Sequence, residues 1–243
     1  MNVNKLLAPV LGALVVIVIS SGRATALENP KSCNEIYLRG GTVDGDYVIE
    51  PAPGVVFTVY CKDLSSGIPK DYITLSKTGG DFNFSQATGG GCHWGTNVRT
   101  SFTKIRIDPK SLLVDIADLT FATSTGQLTD GYGVFTQVEY GVATDCAGSA
   151  TGLANIDLRD TPFEVSSDFA AEGYAQAGSA NGIPLVPNVL TLVSGRIVNL
   201  TGGGYGGMTG PEGFNSTEGS WQTALYAGAP YVPKPALKLV YKP

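Results

Sequence analysis

Four cysteines and a single histidine carry the most readable chemistry in this 243-residue chain. Cys33, Cys61, Cys92 and Cys146 are even in number, and His93 follows Cys92 directly in the run GGGCHWG. Structural zinc needs ligand pairs such as C-x₂₋₄-C or H-x₃₋₅-H, and neighbouring Cys92 and His93 cannot form one. A lone histidine also excludes H-E-x-x-H, in which two imidazoles one helical turn apart hold zinc. Serine catalysis would have to run through His93, yet no G-x-S-x-G turn presents a nucleophile. His93 therefore reads as a surface residue in a glycine turn. The cysteines read as disulfides, with three pairings open. Sequential pairing would close two loops, each contributing roughly 3.5–4 kcal/mol in the chain-entropy account. No metal and no cofactor is expected.

Carboxylates are the other route to catalysis. A glycoside hydrolase sets two of them across a sugar, but nothing in the sequence selects two of the 21 acids. Asp44-Gly45-Asp46 lacks the D-x-[DN]-x-[DN]-G spacing of a calcium loop, and an Asp-Gly turn entering a strand at Tyr47 accounts for it. Asp115 and Asp118 read as solvent-facing. Sixteen Lys and Arg against 21 acids give a formal charge of −5 with no basic run. Neither nucleic acid nor anionic lipid is an expected partner, because both need clustered cations.

Residues 1–26 read as an export leader: Lys5, an apolar stretch over 6–19, then Ala24-Thr25-Ala26 as a cleavage site. The stretch is shorter than the roughly 18–20 residues that span a bilayer. Cleavage would remove Lys5 and Arg23 and no acid, taking the charge from −5 to −7. The expected destination is extracellular, an oxidising space that suits disulfides, with no membrane attachment after cleavage. Sequons at Asn83, Asn199 and Asn215 lie in turn-rich stretches that read as surface.

The elements that must position these residues are short. β-branched and aromatic runs separated by Gly, Pro, Asn and Asp occur at 47–49, 55–60, 72–75, 102–107, 112–116, 119–122, 134–140, 154–158, 163–165, 189–193, 196–200 and 237–241. Such spacing predicts an all-β or β-dominated fold with many short antiparallel strands. The only helix predicted is a short one over 168–176, weakened by Gly173. No repeat or linker divides residues 27–243, so one disulfide-stapled domain is expected. Residues 202–235 are rich in Gly and Pro and carry Tyr205, Phe214, Trp221, Tyr226 and Tyr231. A loop of this kind is a candidate ligand-binding surface, or a segment pinned to the sheet by its rings.

The block CNEIYLRGGTVDGDYVI, followed by VYCKDLSSGIPKDYITL, NFS, FTKIRIDPKSLLVDIADLTFATS and YGVATDCAGSATGLANIDLRDTPFEV, resembles the GON domain. That domain is the C-terminal module of ADAMTS-type secreted zinc metalloproteases. The resemblance is specific over 33–165 and fades beyond it. A cysteine-rich segment belongs there in the family, whereas this chain has TGGGYGGMTG. The resemblance implies that Cys33 pairs with Cys61, leaving Cys92 for Cys146. It also implies a zinc-protease association, although the family's protease chemistry lies in a separate catalytic domain. The expected function is a secreted, non-catalytic module that binds an extracellular protein or glycan. The alternatives are a metallopeptidase-associated activity and a carboxylate-based glycoside hydrolase.

Overall fold

The computed structural model describes residues 28–91, 93–129, 133–145, 151–167, 169–174, 177–180, 183–184, 191–192, 195–203, 208–211 and 237–243. The proposed leader, Cys92, Cys146, Tyr205, Phe214, Trp221, Tyr226, Tyr231 and Asn215 lie outside them.

Along the chain come helix α1 (Cys33–Leu38), β1 (Gly45–Ala52), β2 (Val55–Lys62), a 3₁₀ turn (Leu64–Ser66), β3 (Lys70–Thr74), β4 (Phe84–Thr88), β5 (Trp94–Phe102), β6 (Lys104–Asp108) and β7 (Leu113–Asp115). They are followed by β8 (Ala122–Thr129), β9 (Val134–Phe135), β10 (Ala143–Asp145), β11 (Thr151–Asp157), β12 (Phe163–Val165), β13 (Ala170–Tyr174) and β14 (Ala177–Ala180). The last are β15 (Ile183–Pro184), β16 (Thr191–Leu192), β17 (Ile197–Gly203), β18 (Met208–Pro211) and β19 (Leu237–Tyr241).

The first sheet runs β1-β2-β3-β6-β7-β19-β12, so a strand from the end of the chain lies between β7 and β12. The second runs β15-β14-β17-β11-β4-β10-β18-β13-β16, with β5, β8 and β9 branching from β4. Pairing among the described strands is antiparallel except between β4 and β10. The β-dominated, largely antiparallel fold is as the strand spacing predicts.

Alternation explains the first sheet. Phe57, Val59 and Cys61 on β2, Ile105 and Ile107 on β6, and Leu237 and Leu239 on β19 point inward. They join Ala154, Ile156, Val198 and Leu200 of the second sheet in one apolar core. The sheets therefore bury each other's inner faces, a process worth about 25 cal/mol per Å² of apolar surface removed from water. Phe57 packs edge-on against Phe163 at 5.0 Å between centroids. A second cluster, Ala87, Val98, Leu128, Phe135, Val138 and Val142, fills the space by β8 and β9.

Asn83 is where the two halves are tied. It is wholly buried, with φ +48°, a backbone region that Asn tolerates better than most residues. Its Nδ2 donates to the carbonyls of Lys77 (2.8 Å) and Asp157 (2.7 Å). Its Oδ1 accepts from the Asp157 N–H (2.8 Å) and the Tyr140 hydroxyl (2.5 Å). The surface reading of this sequon is corrected: every polar atom of the amide is committed inside the protein. Asn199 is exposed, and its Oδ1 accepts from Asn155 Nδ2 at 2.8 Å.

Other expectations change too. The helix predicted over 168–176 is instead strand β13, because β16 and β18 satisfy its backbone on both sides. A helix of that length gains too little to compete with paired strands. The run 102–107 is divided at Thr103: Phe102 ends β5 in one sheet and Lys104 begins β6 in the other. Residues 119–122 are mostly turn, and 134–140 holds only the two-residue strand β9. His93 is 2% exposed, its ring edge-on to Phe135 at 5.2 Å, so it belongs to the interior and not the surface. At Gly126 (φ +85°) a Cβ would lie 1.8 Å from the Asn97 carbonyl oxygen, beside a bulge in the β5–β8 ladder. Only glycine fits there.

Candidate functional site: a lysine-rimmed cleft beside the disulfide

Three turns converge on a cleft of about 870 Å³ at one end of the first sheet. The first is the entry to α1. Ser32 is the N-cap, its Oγ accepting from the Glu35 N–H at 3.3 Å, and Glu35 Oε2 reaches back to the Lys31 N–H at 2.7 Å. This is a capping box shifted by one residue, the glutamate satisfying the N–H that precedes the N-cap. The S-x-x-E signal at 32–35 was open to sequence reasoning, which predicted no helix here. The second is Pro69 before β3, which brings Lys70 to the rim. The third is the β6–β7 turn, where Asp108 Oδ1 accepts from the N–H groups of Lys110 (2.8 Å) and Ser111 (3.1 Å). Pro109 supplies the fixed φ such a turn favours and Leu112 takes φ +58°.

The disulfide lies beside the cleft, joined to its lining through Asp71. Cys33 and Cys61 are bonded at 2.04 Å, with Cα atoms 5.4 Å apart. The Cys33 N–H donates to Asp71 Oδ1 at 2.7 Å. Asp71 shares a cross-strand row with Cys61 and Ile107, and burial there pushes its carboxyl up to about 6, Asp108 adding to the effect. Sequential pairing at Cys33–Cys61 is thus correct; Cys92 with Cys146 lies outside the described residues.

Charge is unevenly committed around this space. Arg106 is occupied, its Nη1 3.1 Å from Asp115 and 3.5 Å from Asp118. The Asp118 side chain is 6% exposed and also accepts from the Tyr72 hydroxyl at 3.1 Å, which corrects its solvent-facing reading. Lys31, Lys70 and Lys110 also line the cleft, and among the described residues no carboxylate lies within salt-bridge distance of their ammonium groups. Ser111 Oγ, also in the lining residues, is buried without a hydrogen-bond partner. The chain is acidic overall, yet three lysines without an ion pair among the described residues line this one cleft.

What the cleft can do is hold an anion. A carboxylate pair is the rival use of it, since Asp71, Asp108 and Asp115 all line it. Asp71 and Asp108 are each bound to backbone N–H groups of the fold, and Asp115 is bound to Arg106, so all three have structural work. Glu139, which burial pushes up to about 7, is not among the lining residues. Among the described residues no three His, Cys, Asp or Glu side chains converge as a metal site, and no helix is long and apolar enough to cross a membrane.

Comparison with known proteins identifies the family. The chain matches the family described as GON domain over residues 30–93 and 91–213. It is 27% identical over 176 residues to the Caenorhabditis elegans protein "A disintegrin and metalloproteinase with thrombospondin motifs gon-1", a match covering 62% of this chain and 8% of that protein. The chain thus spans only a small part of that relative's length. No solved structure matches. With the family matched across most of the chain, and the predicted disulfide in place, this protein belongs to the GON domain family.

Proposed function

We propose that this chain is an extracellular, non-catalytic interaction module that grips its partner at the cleft beside the disulfide. The observation that carries the reading is the gathering of Lys31, Lys70 and Lys110, none of them ion-paired among the described residues, on one concavity of an acidic protein. Like charges held together without partners cost stability, so such a group is more economically explained by a ligand than by folding. The leader-like residues 1–26 and the Cys33–Cys61 bond support export to an oxidising space. The relative's name supports a setting alongside a metalloproteinase, with this module contributing recognition.

The test is capture from an extracellular-matrix extract by the full chain and by a Lys31→Gln/Lys70→Gln/Lys110→Gln variant of equal fold. Partners retained by the first and lost by the second are the expected result. Identical capture by both overturns the cleft as the gripping site. A second reading rests on Asp71: a carboxyl that burial raises to about 6, in a cleft also lined by Asp108 and Asp115, is the electrostatic form of a glycosidase acid. Reducing sugar released from a polysaccharide panel, and abolished by Asp71→Asn, would replace the module reading with this one.

A further inference from the structure

We infer that the ligand of this cleft is an acidic polysaccharide, whose successive anionic groups meet Lys31, Lys70 and Lys110; the inference rests on the cleft being the gripping site. Four features select that chemistry. The first is the lack of strand backbone open to pairing at the cleft. Of the strands that line the cleft, β3, β6 and β7 are each paired on both sides, and the edge strand β1 contributes only Pro51, which has no N–H to offer an added peptide strand. The second is the lining itself. Its apolar members among the described residues are Pro51, Pro69, Pro109, Ile107, Leu113 and Val114, none of them aromatic. Neutral sugars are gripped largely by stacking on rings, and single-stranded nucleic acid by stacking its bases, so both lose their main anchor here.

The third feature is the kind of cation. The unpaired groups are lysines, compact and hydrated charges on flexible stems that adapt to anions at variable spacing. Arg106, the one guanidinium in the lining and the group suited to bidentate carboxylate recognition, is already held by Asp115 and Asp118. A repeating polyanion suits the first kind and a defined acidic side chain the second. The fourth is Ser111 Oγ, a buried hydroxyl without a partner that a sugar hydroxyl or sulfate oxygen can satisfy. The formal charge of −5 does not oppose binding, because charges beyond about 8 Å are largely screened at physiological salt.

The experiment titrates the full chain with a fluorescent heparin fragment, a desulfated heparin that keeps its carboxylates, neutral dextran and a polyglutamate peptide. Each is run on the native chain, on the Lys31→Gln/Lys70→Gln/Lys110→Gln variant, and on a Lys77→Gln/Lys242→Gln control. Heparin should bind the native chain and the control alike, and the triple variant about tenfold or more weakly. Three ammonium contacts also predict that raising salt from about 50 to about 200 mM weakens native binding about 20- to 40-fold. Binding of desulfated heparin assigns the contact to carboxylates and its loss assigns it to sulfates; both fall within the inference. Equal heparin binding by native and triple variants overturns it, as does dextran binding of equal strength. Polyglutamate binding that needs the three lysines, without heparin binding, overturns the polysaccharide and leaves the module reading intact. Matrix capture unaffected by the triple variant removes both. The triple variant should unfold no earlier than the native chain on heating, which separates lost binding from lost fold.

Discussion

Replacing Glu139 by glutamine should flatten the protein's stability against pH, and the size of the effect follows from where the side chain sits. Glu139 is 7% exposed and its Oε2 has no hydrogen-bond partner. Burial, with Asp115 as the lesser cause, pushes its carboxyl from 4.5 up to about 7. A carboxyl held above its unfolded value keeps its proton more tightly in the native protein. Its contribution is therefore intact near pH 4 and lost as pH rises through 7. Between pH 5 and pH 8 this one group costs the native state about 2–3 kcal/mol of stability, while glutamine costs nothing further. Urea unfolding followed by circular dichroism at both pH values supplies the numbers. The variant's stability relative to the native protein should rise by about 2–3 kcal/mol from pH 5 to pH 8, whatever offset the new amide introduces. An offset that is the same at both pH values would refute the reasoning, for it would mean that the carboxyl is solvated.

Further expectations follow from the same structure. Asn83→Ala leaves four partners of one amide unsatisfied, three of them buried at about 1–3 kcal/mol each, and should abolish cooperative unfolding or lower its midpoint severely. In a glycosylating secretory host, glycopeptide mass spectrometry should find Asn199 occupied and Asn83 bare in folded protein, since no glycan can be accommodated at a wholly buried amide. Opening the Cys33–Cys61 loop of 28 residues with paired serines should cost about 3.5 kcal/mol in denaturant unfolding. Deleting residues 237–243 removes β19 from between β7 and β12, and the product should fail to give a native circular dichroism spectrum.

The two sheets were unequally legible, for a physical reason. Strands of the first alternate large apolar residues with polar ones, as Phe57, Val59 and Cys61 do, and most of its strands lie within or across the runs read from the sequence. Strands of the second are poor in such residues. ATSTGQLT in β8, AGSA in β14 and MTGP in β18 carry almost no apolar alternation and are held by backbone pairing to their neighbours. Small residues allow close approach there: a Cβ on Gly202 would meet the Ala143 carbonyl oxygen at 2.2 Å. The cleft was illegible for another reason. Lys31, Lys70, Arg106 and Lys110 are scattered singly along the chain, so no basic run announces them. They meet only because β3 and β6 pair with Tyr72 opposite Arg106, and because the capping box at Ser32 turns Lys31 toward them. His93 misled for a related reason, since its glycine neighbours suggest a surface turn while Phe135 covers its ring.

Hydrogen–deuterium exchange of the full chain with and without a saturating heparin fragment tests the account most directly. Protection should appear in the peptides holding Lys31 and Ser32, Lys70 and Asp71, and 106–115, and be absent around the exposed Trp94 and Val134 face of the second sheet. Protection confined to that face, or to 202–235, would contradict it and move the partner's site away from the disulfide cleft.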